Sequence, residues 1–139
     1  MHDEIYTVAL HPSGNYLVAS FNSSIQFFNI YPRRIEKYHE IPKGSGGICN
    51  HIKFTAHGHL VAIQLGGEVH VYRFFTATCP DNYVFKGHEG HLRNISWNED
   101  DSGLVTTGID NKIAVWQLPK PDDTRKRPEP VWTDVSKLN

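Results

Sequence analysis

Leu10-His11-Pro12-Ser13-Gly14-Asn15-Tyr16-Leu17-Val18-Ala19 is answered by Phe54-Thr55-Ala56-His57-Gly58-His59-Leu60-Val61-Ala62-Ile63 at an offset of 44 residues, with Gly14 falling on Gly58. The register continues without a gap, so that Ile25-Gln26-Phe27-Phe28 lies on Val69-His70-Val71-Tyr72. A third copy runs from Trp97 to Ile113-Ala114-Val115-Trp116, offset from the second by 43 at Trp97 and 44 at Trp116, which leaves one inserted residue between them. Linkers repeat as well, Lys43-Gly44-Ser45-Gly46-Gly47 standing one copy before Lys86-Gly87-His88-Glu89-Gly90. A fixed period of this length marks a stacked repeat, in which each unit buries its apolar face against the next.

Each copy reads as short strands. Tyr6-Thr7-Val8-Ala9-Leu10, Asn50-His51-Ile52-Lys53-Phe54 and Arg93-Asn94-Ile95-Ser96-Trp97 alternate with period two, so Val8/Leu10, Ile52/Phe54 and Ile95/Trp97 point one way. Turn residues follow each: His11-Pro12-Ser13-Gly14, Ala56-His57-Gly58 and Asn98-Glu99-Asp100-Asp101-Ser102-Gly103. A second strand, a polar or glycine turn and a third strand ending in an aromatic come next. Fourth strands read more weakly, at Ile35-Glu36-Lys37-Tyr38 and Asn82-Tyr83-Val84-Phe85. No copy holds a ten-residue helical pattern. The expectation is all-β, about three four-stranded antiparallel units spanning about 4–42, 43–85 and 86–119.

Composition narrows the partners. Lys and Arg number 14 against 15 Asp and Glu, a net charge of −1 over 139 residues, so no basic excess points to nucleic acid or an anionic membrane. The 12% of aromatic residues excludes a wholly disordered chain. Cys49 and Cys79 are too few for a disulfide framework and read as free thiols of a reducing compartment. The acidic Met1-His2-Asp3-Glu4 start lacks a signal peptide's apolar segment, and no apolar run approaches a membrane span. A soluble intracellular chain is expected.

Gly87-His88, the Trp97-Asn98-Glu99-Asp100-Asp101 turn, Asp110 and Val115-Trp116 together resemble a WD repeat, the blade of a β-propeller. In that family a hydrogen-bonded tetrad staples each blade, and the resemblance carries it onto His88, Thr106, Asp110 and Trp116. Gln117 replaces the Asp that gives the repeat its name. The first two copies lack the staple: Ser45 stands for His88, Asn22 and Gly66 for Asp110, and Phe28 and Tyr72 for Trp116. They are expected to hold by packing alone.

Ile5-Tyr6-Thr7-Val8-Ala9-Leu10-His11-Pro12-Ser13-Gly14 and Gly87 through Ser102 resemble more particularly the cilia- and flagella-associated protein 57 family, as does Gly58-His59-Leu60-Val61-Ala62 in a degenerate middle blade. This resemblance covers about residues 4–119. It implies a non-catalytic interaction scaffold of the motile-cilium axoneme, associated with dynein-arm regulation, located in cytoplasm and cytoskeleton at the cilium or flagellum. Family members follow their propellers with long coiled coil, and no heptads occur here. The other reading is a general cytosolic WD-repeat adaptor subunit of a multiprotein complex. Both imply protein partners and no nucleic acid, membrane, small-molecule substrate or cofactor.

Sharper chemistries fare less well. His57-Gly58-His59 with His51 or His70 offers three imidazoles to zinc, but no Cys or acid accompanies them at ligand spacing, and no metal site is expected. Asp100-Asp101 adjoin in one turn and read as solvated rather than as an acid/base pair. Cys49 reads as a buried small hydrophobe. Lys43-Gly44-Ser45-Gly46-Gly47 lacks the Lys-Ser/Thr placement and the following helix of a phosphate loop. No catalytic residue is assigned and no enzyme is expected.

Residues 120–139 read as a charged, proline-rich tail or linker. Arg125-Lys126-Arg127 lies beside Asp122-Asp123 and reads as solvated. Trp132 has two readings, a partner contact or packing onto the last blade. Length then becomes informative, because closed propellers need four to eight blades. Three blades are expected to expose apolar end faces around Val8, Leu10, Val115 and Trp116, so the chain is expected to be a fragment or to be completed by blades from another chain.

Overall fold

A computed structural model describes residues 4–43, 48–119 and 130–135. Twelve strands build it: β1 Ile5–Leu10, β2 Tyr16–Phe21, β3 Ser24–Tyr31, β4 Arg34–Pro42, β5 Ile52–Phe54, β6 Leu60–Leu65, β7 Glu68–Arg73, β8 Val84–Phe85, β9 Leu92–Trp97, β10 Gly103–Gly108, β11 Lys112–Gln117 and β12 Val131–Asp134. They form three antiparallel meanders of four strands each, β1-β2-β3-β4, β5-β6-β7-β8 and β9-β10-β11-β12. These are three blades of an unclosed propeller. Strand pairing locates the inserted residue. Val61 pairs Tyr72 across β6–β7, and Leu104 pairs Trp116 across β10–β11. The extra residue therefore lies in the turn after β10, Ile109-Asp110-Asn111, where blade two has Gly66-Gly67.

Two apolar clusters join the blades. Val18, Ile25 and Phe27 of blade one meet Cys49, Ile52, Val61, Ile63 and Phe74 of blade two. On blade two's other face, Ala62, Val69, Val71 and Phe85 meet Leu92, Ile95, Leu104, Ala114 and Trp116 of blade three. Strand β6 explains how one sheet serves both. Val61 and Ile63 go to one cluster and Ala62 to the other, as period-two alternation requires of a strand buried on both faces. Each fully buried large side chain contributes roughly 1.5–3 kcal/mol.

End faces lack this cover. Ile52 and Ile95 are 4% and 1% exposed, while Val8 at the corresponding place in blade one is 59% exposed and Leu10 is 62% exposed. At the other end Val115 is exposed and its counterpart Val71 is buried. Trp116, on the opposite side of β11, faces blade two and is buried.

The third blade's expected end at residue 119 is corrected. Its fourth strand is β12, pairing Lys112 with Asp134, Ile113 with Thr133, Ala114 with Trp132 and Val115 with Val131. What read as tail thus contains the outermost strand. An edge strand needs only backbone partners on one side, and four residues are too few to show alternation. Residues 120–129, with the Arg125-Lys126-Arg127 run, lie outside the described residues.

Candidate functional site

Thr106 sits in the middle of β10, fully buried between Ile95 and Ala114 on the flanking strands. The Trp116 indole N–H donates to its Oγ1 at 2.9 Å. The hydroxyl lies 2.7 Å from His88 Nε2, and His88 Nδ1 lies 3.1 and 3.2 Å from the Asp110 oxygens. One proton arrangement satisfies all of it: indole to hydroxyl, hydroxyl to Nε2, and Nδ1–H to carboxylate. The structure thus brings together the four residues that the resemblance singled out. The longer turn after β10 is what lets Asp110 reach back to His88. Gly108 makes room, since a Cβ there would stand 2.7 Å from both Asp110 Oδ1 and His88 Nδ1.

Asp110 also accepts from the Glu89 N–H at 3.0 Å and the Lys112 N–H at 3.2 Å. Burial pushes its pKa upward, but these N–H groups and His88 outweigh it and hold the carboxyl below its ordinary value. Both ring nitrogens of His88 are committed, and its side chain is 1% exposed. The arrangement has no spare base and no nucleophile. It is a staple, tying the segment that leads into the blade to the turn between its second and third strands.

The expectation that blades one and two hold by packing alone is corrected. In blade two, Gln64 within the apolar Leu60–Leu65 strand is completely buried. Its Oε1 accepts from the Asn50 N–H at 3.0 Å, and its Nε2 donates to the Gly66 carbonyl at 2.9 Å. Asn50 precedes β5 and Gly66 lies in the β6–β7 turn, so one amide ties the entry of blade two to the turn that Asp110 occupies in blade three. In blade one the Tyr6 hydroxyl donates to Asn22 Oδ1, again tying the first strand to the second turn. Ser45, the counterpart of His88, lies outside the described residues. The same turn is tied in each blade, by three chemistries.

A second set of contacts links blade to blade through the first turn of each. Buried His11 donates from Nε2 to the Gly58 carbonyl at 2.9 Å, and its ring stacks on Phe74 with centroids 4.8 Å apart. One junction on, the Asp101 carboxylate accepts from the Ala56 N–H at 3.2 Å, the His57 N–H at 3.3 Å and the His57 ring at 2.7 Å. Burial raises the Asp101 pKa, and the His57 and Ala56 hydrogen bonds more than offset it, leaving the carboxyl below its ordinary value. The Trp97 indole donates across the same junction to the Lys53 carbonyl at 2.9 Å. Asp101 is therefore a clamp rather than a solvated turn acid, while Asp100 accepts from Ser102 within its own turn. Gly14, Gly58 and Asp101 share one place in the repeat, and all three are left-handed, at φ 77°, 75° and 61°.

Trp132 closes over the staple. Its ring meets His88 edge-on at 5.0 Å and Trp116 at 5.9 Å, leaving it 39% exposed. Of its two readings, packing onto the last blade is what these contacts describe, and part of the ring stays open to solvent. Cys49 is buried and burial raises its pKa; burial likewise pushes Cys79 up to about 11, with Asp81 adding to it. Among the described residues no three His, Cys, Asp or Glu side chains gather as a metal-ligand set. His57 turns to Asp101 and His70 to Glu68, at 3.0 Å.

A model of the WD domain, G-beta repeat, matches residues 1–29 and 79–117. The chain is 37% identical over 117 residues to cilia- and flagella-associated protein 57 of Mus musculus, and 34% identical over 116 residues to cilia- and flagella-associated protein 57 A of Tetrahymena thermophila. Each match covers 84% of this chain and 9% of the relative, so the chain spans about a tenth of the length of these relatives. Among solved structures, the Cps50 (Swd1) beta-propeller domain of Myceliophteria thermophila superposes with a TM-score of 0.71 at 15% identity, over 95% of this chain and 44% of that one.

Proposed function

Because the chain is a WD-repeat protein whose blades resemble those of cilia- and flagella-associated protein 57, we propose that it serves as a non-catalytic interaction scaffold of the motile-cilium axoneme, in the cytoskeletal compartment where dynein arms are regulated. The observation that carries the reading is the 37% identity to the mouse ciliary protein across 84% of this chain. The site adds to it. His88, Thr106, Asp110 and Trp116 spend their polar atoms on one another, a use that suits a rigid surface and leaves no group poised for chemistry.

Further blades are the first partners in this proposal. At two junctions the left-handed turn residue receives the turn of the preceding blade, His11 on Gly58 and His57 on Asp101. Gly14 holds the same place in blade one, and a Cβ there would meet nothing within 4 Å. Beside that open seat lie exposed Val8 and Leu10. A blade carrying a donor in its first turn fits both.

Fractionation of ciliated cells tests the function. The endogenous polypeptide should stay with axonemes after detergent removes the membrane and should leave them in high salt. Uniform solubility, with equal abundance in cells that build no cilia, would overturn the ciliary reading.

A further inference from the structure

We propose that the β3–β4 hairpin is a docking finger for an acid-rich segment of another protein, with Arg33 as its free charge and Tyr31 and Ile35, on the two opposite faces of the hairpin, as its apolar contacts. The finger exists because this hairpin is longer than its counterparts. Strands β3 and β4 have eight and nine residues, where β7 and β8 have six and two, and β11 and β12 six and four. Strand β2 begins at Tyr16, opposite Asn29, and Ile30 still donates to the Asn15 carbonyl at 2.9 Å, so the Tyr31–Arg34 pair and its turn overhang the sheet. Every residue from Tyr31 to Glu40 is exposed. Tyr38 and His39 pack on buried Phe27, but among the described residues no ring contact to the core is made by the tip from Tyr31 to Glu36.

Its tip is ordered before any partner arrives. The two-residue turn Pro32-Arg33 joins the Tyr31–Arg34 pair, and proline restricts the turn further. The Arg34 guanidinium lies 4.6 Å above the Tyr31 ring and its Nε 3.4 Å from Glu36 Oε2. Pre-ordering of this kind reduces the entropy lost on binding. Tyr and Arg are also the residue types that dominate binding energy at protein interfaces.

Charge selects the partner. Glu36 pairs with Arg34 and Glu40 with Lys37, the latter at 3.5 Å, whereas no acid among the described residues pairs with Arg33. The tip is thus locally positive on a chain of net charge −1. One unpaired arginine beside exposed Tyr and Ile falls short of the cluster of about 4–8 basic residues that an anionic membrane needs. It also falls short of the several contacts by which proteins track phosphates. It fits a short stretch of Asp and Glu. Strand addition is blocked, since β4 carries alternating charges, a bulge at Tyr38 and Pro42. Docking runs through the side chains of the tip.

The test uses the full 139-residue chain, isotope-labelled, titrated with an oligo-glutamate peptide at low ionic strength and followed by amide chemical shifts. Saturable shifts confined to Ile30 through Glu36 are expected, fading as salt is added. Arg33→Glu should weaken binding by about tenfold or more, the loss of a hot-spot residue. The pair Tyr31→Ser with Ile35→Ser should weaken it with Arg33 intact. Unchanged shifts for the Trp116 indole in each variant show that the blades remain folded. The proposal is overturned if the peptide gives no saturable shift at the tip, if Arg33→Glu binds as well as the parent, or if phosphatidylserine vesicles or a DNA oligonucleotide bind the tip more tightly than oligo-glutamate.

Discussion

Replacing Thr106 by valine tests the staple with the least disturbance of shape. Valine keeps the branch and nearly the volume but removes the one oxygen that both Trp116 Nε1 and His88 Nε2 reach, at 2.9 and 2.7 Å. Both nitrogens lie deep in the blade, where water does not replace the lost partner. An orphaned buried polar group costs roughly 1–3 kcal/mol, so two come to about 1–5 kcal/mol once the extra apolar methyl, worth about 1 kcal/mol, is set against them. Thr106→Ser is the matched control. It keeps the hydroxyl and loses one buried methyl, worth about 1 kcal/mol. Urea unfolding followed by tryptophan fluorescence should lower the midpoint for Val well below that for Ser, with the slope unchanged in both. The Trp116 indole proton should exchange slowly in the parent and in Ser, and faster in Val. A valine variant as stable as the serine variant would show that the hydrogen bonds do not hold this blade.

Three further outcomes follow from the same geometry. Gln64→Leu removes the amide between Asn50 and Gly66 and should destabilise by roughly 1–3 kcal/mol by urea unfolding; an unchanged midpoint would show that blade two needs only packing. Asp101 and Asp110 both titrate below their ordinary value of 3.8, so the stability they give is present above that value and is lost as pH falls through their lowered folded values. Acid unfolding should therefore be less steep below pH 3.8 in Asp101→Asn, which tolerates the left-handed turn while losing the charge; a parent-like profile would remove Asp101 from the account. Cys79, pushed up to about 11, should react slowly with a thiol reagent at neutral pH until the chain is unfolded, and rapid labelling of the folded chain would contradict its burial.

What could be read from the sequence was whatever repeats at fixed spacing. Val8, Ile52 and Ile95 share one register, and the strands, turns and blade order follow from that offset. His88, Thr106, Asp110 and Trp116 could be picked out because their family spaces them in a fixed pattern along one blade. Partners reached across a junction were illegible. Asp101 looks like half of an adjacent acid pair until His57, 44 residues earlier, is placed beside it. Gln64 hides in an apolar run, where nothing in the residue order marks its amide as a fully buried tie. Strand β12 announces nothing, because its bonds to β11 are made by backbone and every sequence offers those equally.

The differing braces say something about how the repeat tolerates change. In all three blades the turn after the second strand is tied back to the entry of the blade, to the first strand itself in blade one and to the segment before it in blades two and three. The tie is an imidazole–carboxylate pair with a hydroxyl in blade three, one amide in blade two, and a phenol–amide contact in blade one. A blade thus needs the connection and not a given set of residues, since a buried polar group asks only for a partner of suitable geometry. Junctions behave alike, His11 serving one and Asp101 with His57 the next, across turns that keep only their left-handed residue in common. Scoring a blade by its family motif would therefore rate blades one and two as loosely held, when each has a buried or cross-strand polar tie of its own. The Gln64→Leu measurement separates these views. A loss as large as that in Thr106→Val would mean that blade two lacks the motif's residues while retaining its mechanical function.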